Sequence, residues 1–251
     1  MFRTFALIAL SALVACTPQE EELVDTADTT TEDPVDDPEM EALQQVADDI
    51  ADVRTGMADV FLSGAQVTYI RPRMGDDDPA AFWVQATKEG PALYVEIDAT
   101  TLSPAPQVGD TIELTPTQIN IDGDHPIVTE LTDWKVLGSG TVDHLVQDLT
   151  ETEKTWTNRD DYVDELVIIQ GDLWSSFNSS GDGFSASYYR STNVMGIAVF
   201  FRATDELVDE LGLEIDCSLT TGPTPLWVRN DWIFYTAWNA SEISQVSCPS
   251  E

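Results

Sequence analysis

Apolar and polar residues alternate along much of the chain with a period of two. From Val60 to Leu137 five runs show this alternation, and turn-rich stretches containing Gly, Pro and Asp separate them. The runs are VFLSGAQVTYI, AFWVQAT, ALYVEI, TIELTPTQINI and IVTELTDWKVL. A period of two places one face of a strand toward the core and the other toward solvent. Five short strands with no long helix between them predict a small barrel or sandwich.

A second block of strand-like runs follows a polar connector, which we place at residues 141–161. Its runs are ELVIIQGDLWSSF, FSASYYR, GIAVFFRA, LGLEIDCSLTT and PLWVRNDWIFYTAW. The first strands of the two blocks, VFLSGAQV and LVIIQGDL, each contain a glycine where a strongly bent barrel strand needs one. We therefore predict a mainly all-β chain with two copies of one architecture, at residues 39–140 and 162–251.

The segment before the first strand changes character twice. Residues 16–38 contain acids, Thr and Pro but no Lys or Arg, which predicts a disordered, extended tether. The following stretch, EMEALQQVADDIADV, repeats apolar residues at steps of three and four. This spacing predicts a short helix with one apolar face, formed by Met40, Leu43, Val46, Ile50 and Val53.

The strand runs resemble the OB-fold-like domains of bacterial secreted and lipid-anchored proteins, some of which lie beside extracellular nucleases. The resemblance rests on IADVRTG, VFLSGAQVTYI, AFWVQATKEGPALYVEI and VGDTIELT, and it covers residues 50–137. The stretch YVDELVIIQG resembles the opening of a second such domain, over residues 162–243. The resemblance implies two tandem five-stranded OB-like barrels and a location at the cell surface. The resemblance identifies no catalytic residue in this chain.

The N-terminus has the organisation of an export signal. Residues 1–3 form a short, positively charged segment, and residues 5–14 form an apolar segment that is too short to span a bilayer. The stretch LVAC at positions 13–16 resembles the lipobox of bacterial lipoproteins, which implies cleavage before Cys16 and attachment of lipid to it. An ordinary secretory signal that happens to contain a cysteine is the alternative. We expect residues 1–15 to be a signal peptide and the mature protein to be anchored by lipid in the outer membrane.

Two cysteines remain besides Cys16, and they are Cys217 and Cys248. Export to an oxidising compartment favours a disulfide between them. A metal site would need more ligands nearby, and neither His125 nor His144 has metal-ligand spacing from the cysteines. We predict a Cys217–Cys248 bridge and no bound metal or cofactor.

The charge of the chain is strongly one-sided. It has 46 acidic and 11 basic residues, for a formal net charge of −35. Such an acid-rich composition is typical of salt-adapted proteins, and cation binding is the alternative reason for it. Because this charge repels phosphate backbones, nucleic acid is not expected as a partner.

The sequence has no pattern typical of a catalytic site. It contains no nucleophile elbow, HExxH zinc motif, phosphate loop or EF-hand loop. The acid-rich stretches at Gly75 and Asn120 are turns between strands and lack the ligand spacing of a calcium loop. We expect a chain that is not an enzyme.

Two aromatic side chains are the best candidates for a ligand surface. The alternation in AFWVQAT and ALYVEI puts Trp83 and Tyr94 together on the side opposite the core, and Arg71 and Arg73 lie nearby in sequence. OB folds use this surface for ligands. The alternative is that these side chains pack against the Met40–Val53 helix or against the second domain.

The second domain contains more aromatic residues, most of which we expect in its core or at the contact between domains. They are Trp174, Phe177, Tyr188, Tyr189, Trp227, Trp232, Tyr235 and Trp238. Together these observations predict a lipid-anchored, non-enzymatic binding module whose partner is an envelope protein or a small ligand. The alternative is an accessory or degenerate domain pair of a secreted hydrolase such as an extracellular nuclease.

Overall fold

The computed structural model describes residues 38–73, 78–123, 125–150, 159–191, 198–229 and 232–249. Residues from Asp36 to Glu251 form one compact unit. The predicted signal peptide, Cys16 and all but the last residue of the predicted tether lie outside the described residues. Within them, no helix has the length and apolar character needed to cross a membrane.

The first barrel has five strands and follows helix α1 (Pro38–Arg54). The strands are β1 (Leu62–Arg71), β2 (Ala81–Gln85), β3 (Ala92–Val95), β4 (Asp110–Asp122) and β5 (His125–Ser139). They close in the order β1-β2-β3-β5-β4, and only the β3–β5 pair is parallel. The inward-facing apolar residues that the alternation predicts form the core: Leu62, Val67, Phe82, Val84, Leu93 and Val95.

Helix α1 completes this core. Val46, Ala47, Ile50 and Val53 lie on one face of α1, are buried and pack among the apolar side chains of the barrel. The helix contacts β1, β3 and β5. Val46, Ile50 and Val53 of the predicted apolar face are therefore the residues by which α1 covers the barrel. Met40, at the start of the predicted face, is 69% exposed and does not belong to it, because the first turn of α1 extends beyond the barrel core.

The second barrel is built from the rest of the chain. Its strands are β6 (Gln147–Asp148), β7 (Leu166–Leu173), β8 (Asn178–Ser179), β9 (Phe184–Ser191), β10 (Ala198–Thr204), β11 (Ser218–Arg229), β12 (Trp232–Ala237) and β13 (Ile243–Ser247). Five of them form a ring, because β7 pairs with β9, β9 with β10, β10 with β12, β12 with β11, and β11 again with β7. Helix α2 (Asp205–Leu211) lies between β10 and β11 and buries Leu207.

The two rings have the same strand order. If the five ring strands are numbered in chain order, their order around each ring is first, second, third, fifth and fourth. In both rings only the third and fifth strands pair in parallel. The predicted fold class, two tandem five-stranded OB-like barrels with a short N-terminal helix, is confirmed. The predicted glycine bend occurs in the first barrel, where Gly64 has φ +110° at a register shift of β1. Its counterpart Gly171 stays in register with Leu219, so β7 has no bulge there.

The predicted disulfide is also confirmed. Cys217 and Cys248 are bonded, which joins the start of β11 to the end of β13. Because β13 pairs with β11 alone among the described strands, the bridge fixes this last strand of the chain to the barrel.

Candidate functional site

The predicted ligand face is buried between the two barrels. Trp83 and Tyr94 lie opposite each other on β2 and β3, as the alternation predicts, but only 1% and 3% of their surfaces are exposed. Trp227 of β11 in the second barrel belongs to the same buried cluster. Arg71 is buried as well, and Arg73 is exposed. The candidate ligand face is therefore corrected to a contact between domains, because burial against Trp227 removes this aromatic surface from water.

We call this buried contact the interbarrel seam, and the guanidinium group of Arg71 lies at its centre. The group donates hydrogen bonds to the carbonyl oxygen of Pro79 at 2.7 and 3.0 Å and to the hydroxyl of Tyr94 at 2.7 Å. Its carbon lies between 4.9 and 5.7 Å from the ring centroids of Trp83, Tyr94, Trp227 and Trp238. Cation–π contacts and the hydrogen bonds of Nε and Nη2 offset part of the cost of burying this charge, while Nη1 has no hydrogen-bond partner among the described residues.

Asp164 joins the barrels from the other side of the seam. Its carboxylate accepts a hydrogen bond from Trp83 Nε1 at 3.0 Å and one from Arg54 Nη1 at 3.3 Å. His125 Nδ1 lies 3.6 Å from the same carboxylate. Burial raises the pKa of Asp164, and the nearby His125 and Arg54 act in the opposite direction.

A second buried ion pair lies across the same contact. The Arg202 guanidinium of β10 donates two hydrogen bonds to the carboxylate of Asp78, at 2.8 and 2.5 Å. Both side chains are almost fully buried. Arg202 also donates to the carbonyl oxygen of Ser180. The seam is thus filled by paired charges and aromatic rings, and it fixes the barrels against each other.

An aromatic row that sequence analysis did not identify lies on the outer face of the second barrel. Tyr188 of β9, Phe200 of β10 and Phe234 of β12 are directly opposite one another in the sheet. The Tyr188 and Phe200 rings are 4.5 Å apart between centroids, and those of Phe200 and Phe234 are 5.5 Å apart. Trp227 continues the row into the seam, 5.3 Å from Phe234. At the outer end Tyr188 is 40% exposed.

The aromatic row forms one wall of a surface groove of about 240 Å³. Ala186 of β9 also lines the groove. The rest of the lining is polar and consists of Ser175, Asn178, Ser179 and Ser180, which precede β9; Asn178 and Ser179 pair with it. We call this feature the second-barrel groove.

Trp174 extends the aromatic surface beyond the groove. Its backbone N–H donates to the carbonyl oxygen of Tyr188 at 2.8 Å, so the two residues are neighbours across adjacent strands. Its ring is 63% exposed, and the guanidinium of Arg190 lies 5.7 Å from its centroid. A ligand in the groove therefore has a further flat surface and a cation next to it.

One sequence signal could have revealed the aromatic row. Three strands of the second barrel each contain two adjacent aromatic residues: Tyr188-Tyr189, Phe200-Phe201 and Phe234-Tyr235. Because side chains alternate along a strand, only one member of each pair can face the core. Tyr189, Phe201 and Tyr235 are the buried members. The pattern therefore predicts three outward aromatic side chains on neighbouring strands. We instead expected most aromatic residues of the second domain to be in its core or at the contact between domains.

In the described part of the chain, no group of three or more His, Cys, Asp or Glu side chains is placed so that it could hold a metal ion. His125 is buried in the seam, and His144 lies in the short turn Asp143–Leu145. The structure does not bring the two histidines of the sequence together with the disulfide.

The sequence matches no protein-family model and no curated protein. Solved structures with a similar strand arrangement include a HIN2 domain from a tetrameric assembly, at 12% identity and a TM-score of 0.33, covering 72% of this chain and 91% of that one. A murine DNA-binding protein bound to double-stranded DNA is 7% identical with a TM-score of 0.36, covering 78% and 98%. Fission yeast Pot1 with single-stranded DNA is 11% identical with a TM-score of 0.26, covering 75% and 82%.

These neighbours correct one prediction. The excess of acidic over basic residues and the lack of a basic groove in the sequence predict that nucleic acid is not a partner, but the similar structures include proteins solved on double-stranded and on single-stranded DNA. Net charge is a property of the whole chain, whereas a binding site depends on the side chains that line it. Nucleic acid therefore belongs among the ligands to be tested.

Proposed function

We propose that this chain is a non-enzymatic binding module of a bacterial cell envelope, held at the outer membrane by lipid on Cys16, and that its ligand binds in the second-barrel groove. The anchoring rests on the LVAC stretch at positions 13–16 and on the acidic segment behind it. The binding site rests on the aromatic row, which is the single observation that carries the proposal.

The aromatic row supports binding because apolar rings exposed to water do not contribute to the stability of the fold, whereas a ligand that covers them would gain binding energy. Aromatic side chains contribute most when buried, and the core of this barrel already contains Tyr189, Phe201 and Tyr235. Three further rings are stacked in register beside a concave surface that ends in a polar wall. An apolar surface with a few converging polar groups is the usual form of a small ligand site.

Retention of envelope components on the immobilised full chain tests this proposal. Wild type should retain a component that Tyr188→Ala loses, since truncation of an aromatic anchor costs binding energy on the order of 1–3 kcal/mol. Phe61→Ala is the matched control, because Phe61 is an exposed aromatic residue of the first barrel outside the groove. Equal retention by wild type and Tyr188→Ala would contradict the proposed site. Turnover of the retained component by the purified chain would contradict the non-enzymatic assignment.

A further inference from the structure

We propose that the second-barrel groove binds an uncharged oligosaccharide, one sugar ring at a time. This inference rests on the proposed function, because it names the ligand class of the same site. Its basis is the lining of the groove, which combines aromatic rings with uncharged polar side chains.

The aromatic wall fits the apolar side of a sugar ring. A pyranose has C–H groups on its faces and hydroxyl groups around its rim. The rings of Tyr188, Phe200 and Phe234 form a continuous apolar surface, since neighbouring strands are about 4.8 Å apart and the rings are in register. A sugar placed against them covers this surface and buries its own C–H groups.

The polar wall fits the hydroxyl rim of the same ring. It contains Ser175, Asn178, Ser179 and Ser180. The Ser175 hydroxyl accepts from the Tyr188 backbone N–H, and Asn178 Nδ2 donates to the carbonyl oxygen of Ser176, so the Asn178 side-chain oxygen and the Ser179 and Ser180 hydroxyls are the groups that would meet a ligand. Hydroxyl and amide groups both donate and accept hydrogen bonds, as sugar hydroxyls do. Asn178 and Ser179 are exposed, so these groups are within reach of a ligand in the groove.

The charge of the lining favours a neutral ligand at this position. All lining residues that the structure describes are uncharged. Arg202, which donates to the carbonyl oxygen of the lining residue Ser180, is buried and bonded to Asp78. Arg190 lies beside Trp174 and is not among the lining residues. A sugar chain brings no charge that must be neutralised, whereas a nucleotide chain brings one phosphate for every base.

The volume limits how much of the ligand enters. The groove measures about 240 Å³, less than the roughly 300–1,000 Å³ of sites for drug-sized molecules. One ring fits this space, and the exposed Trp174 is placed to stack on a neighbouring ring of the same chain. The site therefore suits a polymer that contributes one ring to the groove and another to Trp174.

Calorimetric titration of the full chain tests the inference. The probes are cellohexaose, chitohexaose, maltohexaose and xylohexaose, with a single-stranded oligothymidylate in parallel, each at low and at high salt. At least one hexasaccharide should bind with the same affinity at both salt concentrations. Tyr188→Ala should weaken that binding about tenfold or more, and Phe61→Ala should leave it unchanged.

Three outcomes would overturn the inference. Absence of binding to all four hexasaccharides contradicts the sugar class. Salt-dependent binding of the oligothymidylate that Tyr188→Ala abolishes would assign the groove to nucleic acid, which keeps the proposed site and rejects only the ligand class. Hexasaccharide binding that survives Tyr188→Ala and Phe200→Ala in folded protein would reject both the groove as the site and the ligand assigned to it.

Discussion

At the scale of single residues, Glu165 shows how position in the fold changes a carboxyl group. It follows Asp164 of the seam, is buried, and accepts a hydrogen bond from the side chain of Gln147. Burial raises the pKa of Glu165 to about 8. Gly90 faces it at a distance that leaves no room for a β-carbon. The sequence identifies this residue as one acid among 46, and only its burial makes it different from the others.

We predict that Glu165 makes the fold less stable as pH rises. Its folded-state pKa of about 8 is above the ordinary value of 4.5, so the folded chain binds more protons between these limits. The stability that this group contributes is fully present below pH 4.5 and is lost as pH rises through about 8. In Glu165→Gln, urea unfolding across this pH range should therefore show a smaller decline in the free energy of unfolding.

Glu210→Gln is the control for this prediction. Glu210 is an exposed residue of α2, so its replacement should leave the pH dependence of unfolding as it is in the wild type. An identical pH dependence in Glu165→Gln and in the wild type would show that Glu165 is ionised in the folded chain.

At the scale of strands, the sequence determines which side of a strand a residue faces, but not what covers that side. The alternation correctly places Phe82 and Val84 in the core and Trp83 on the opposite face. Tyr188 has the equivalent position on the second strand of the other barrel. Trp83 is buried and Tyr188 is exposed because the barrels dock through Trp83. That docking depends on contacts between residues far apart in sequence, such as Trp83 with Asp164, which no local pattern contains.

The adjacent tyrosines of β9 provide a direct test of this alternation. Tyr189 is buried, and its hydroxyl donates to the carbonyl oxygen of Leu219 at 2.9 Å. Tyr189→Ala should lower the free energy of unfolding by about 3–5 kcal/mol, as expected for a large core side chain. Tyr188→Ala should lower it by less than about 1 kcal/mol because its ring is partly exposed. Chemical unfolding measures both values, and equal losses would place the two rings in the same environment.

At the scale of the whole molecule, the N-terminal residues connect the folded unit to its proposed location. We predict that Cys16→Ser abolishes labelling of the chain with palmitate and moves it from the membrane to the soluble fraction, because the serine hydroxyl replaces the sulfur that would carry the lipid. Ser11→Ala is the control, since it lies in the apolar segment and keeps Cys16. Labelling that persists in Cys16→Ser would show that the chain is not lipidated at this position.

The two barrels should unfold together, because the seam buries charges that are satisfied only when both barrels are present. The Asp78–Arg202 pair is the clearest case, with two hydrogen bonds between almost fully buried groups. Asp78→Ala removes two charge-assisted hydrogen bonds from a buried guanidinium, so it should cost about 3–5 kcal/mol. Calorimetry should show one transition in the wild type and a lower melting temperature in Asp78→Ala.

An exposed ion pair and a double variant show whether the stability lost in Asp78→Ala comes from the burial of the ion pair or from the loss of a charge alone. Lys135 pairs with Glu113 at 3.2 Å while 62% exposed, so Lys135→Met should cost less than about 1 kcal/mol. Asp78→Ala combined with Arg202→Met removes both buried charges and should recover part of the lost stability, because the guanidinium is removed together with the carboxylate that binds it. If Asp78→Ala melts like Lys135→Met, the ion pair does not hold the barrels together, and their joint unfolding would have to come from the aromatic contacts of Trp83 and Trp227.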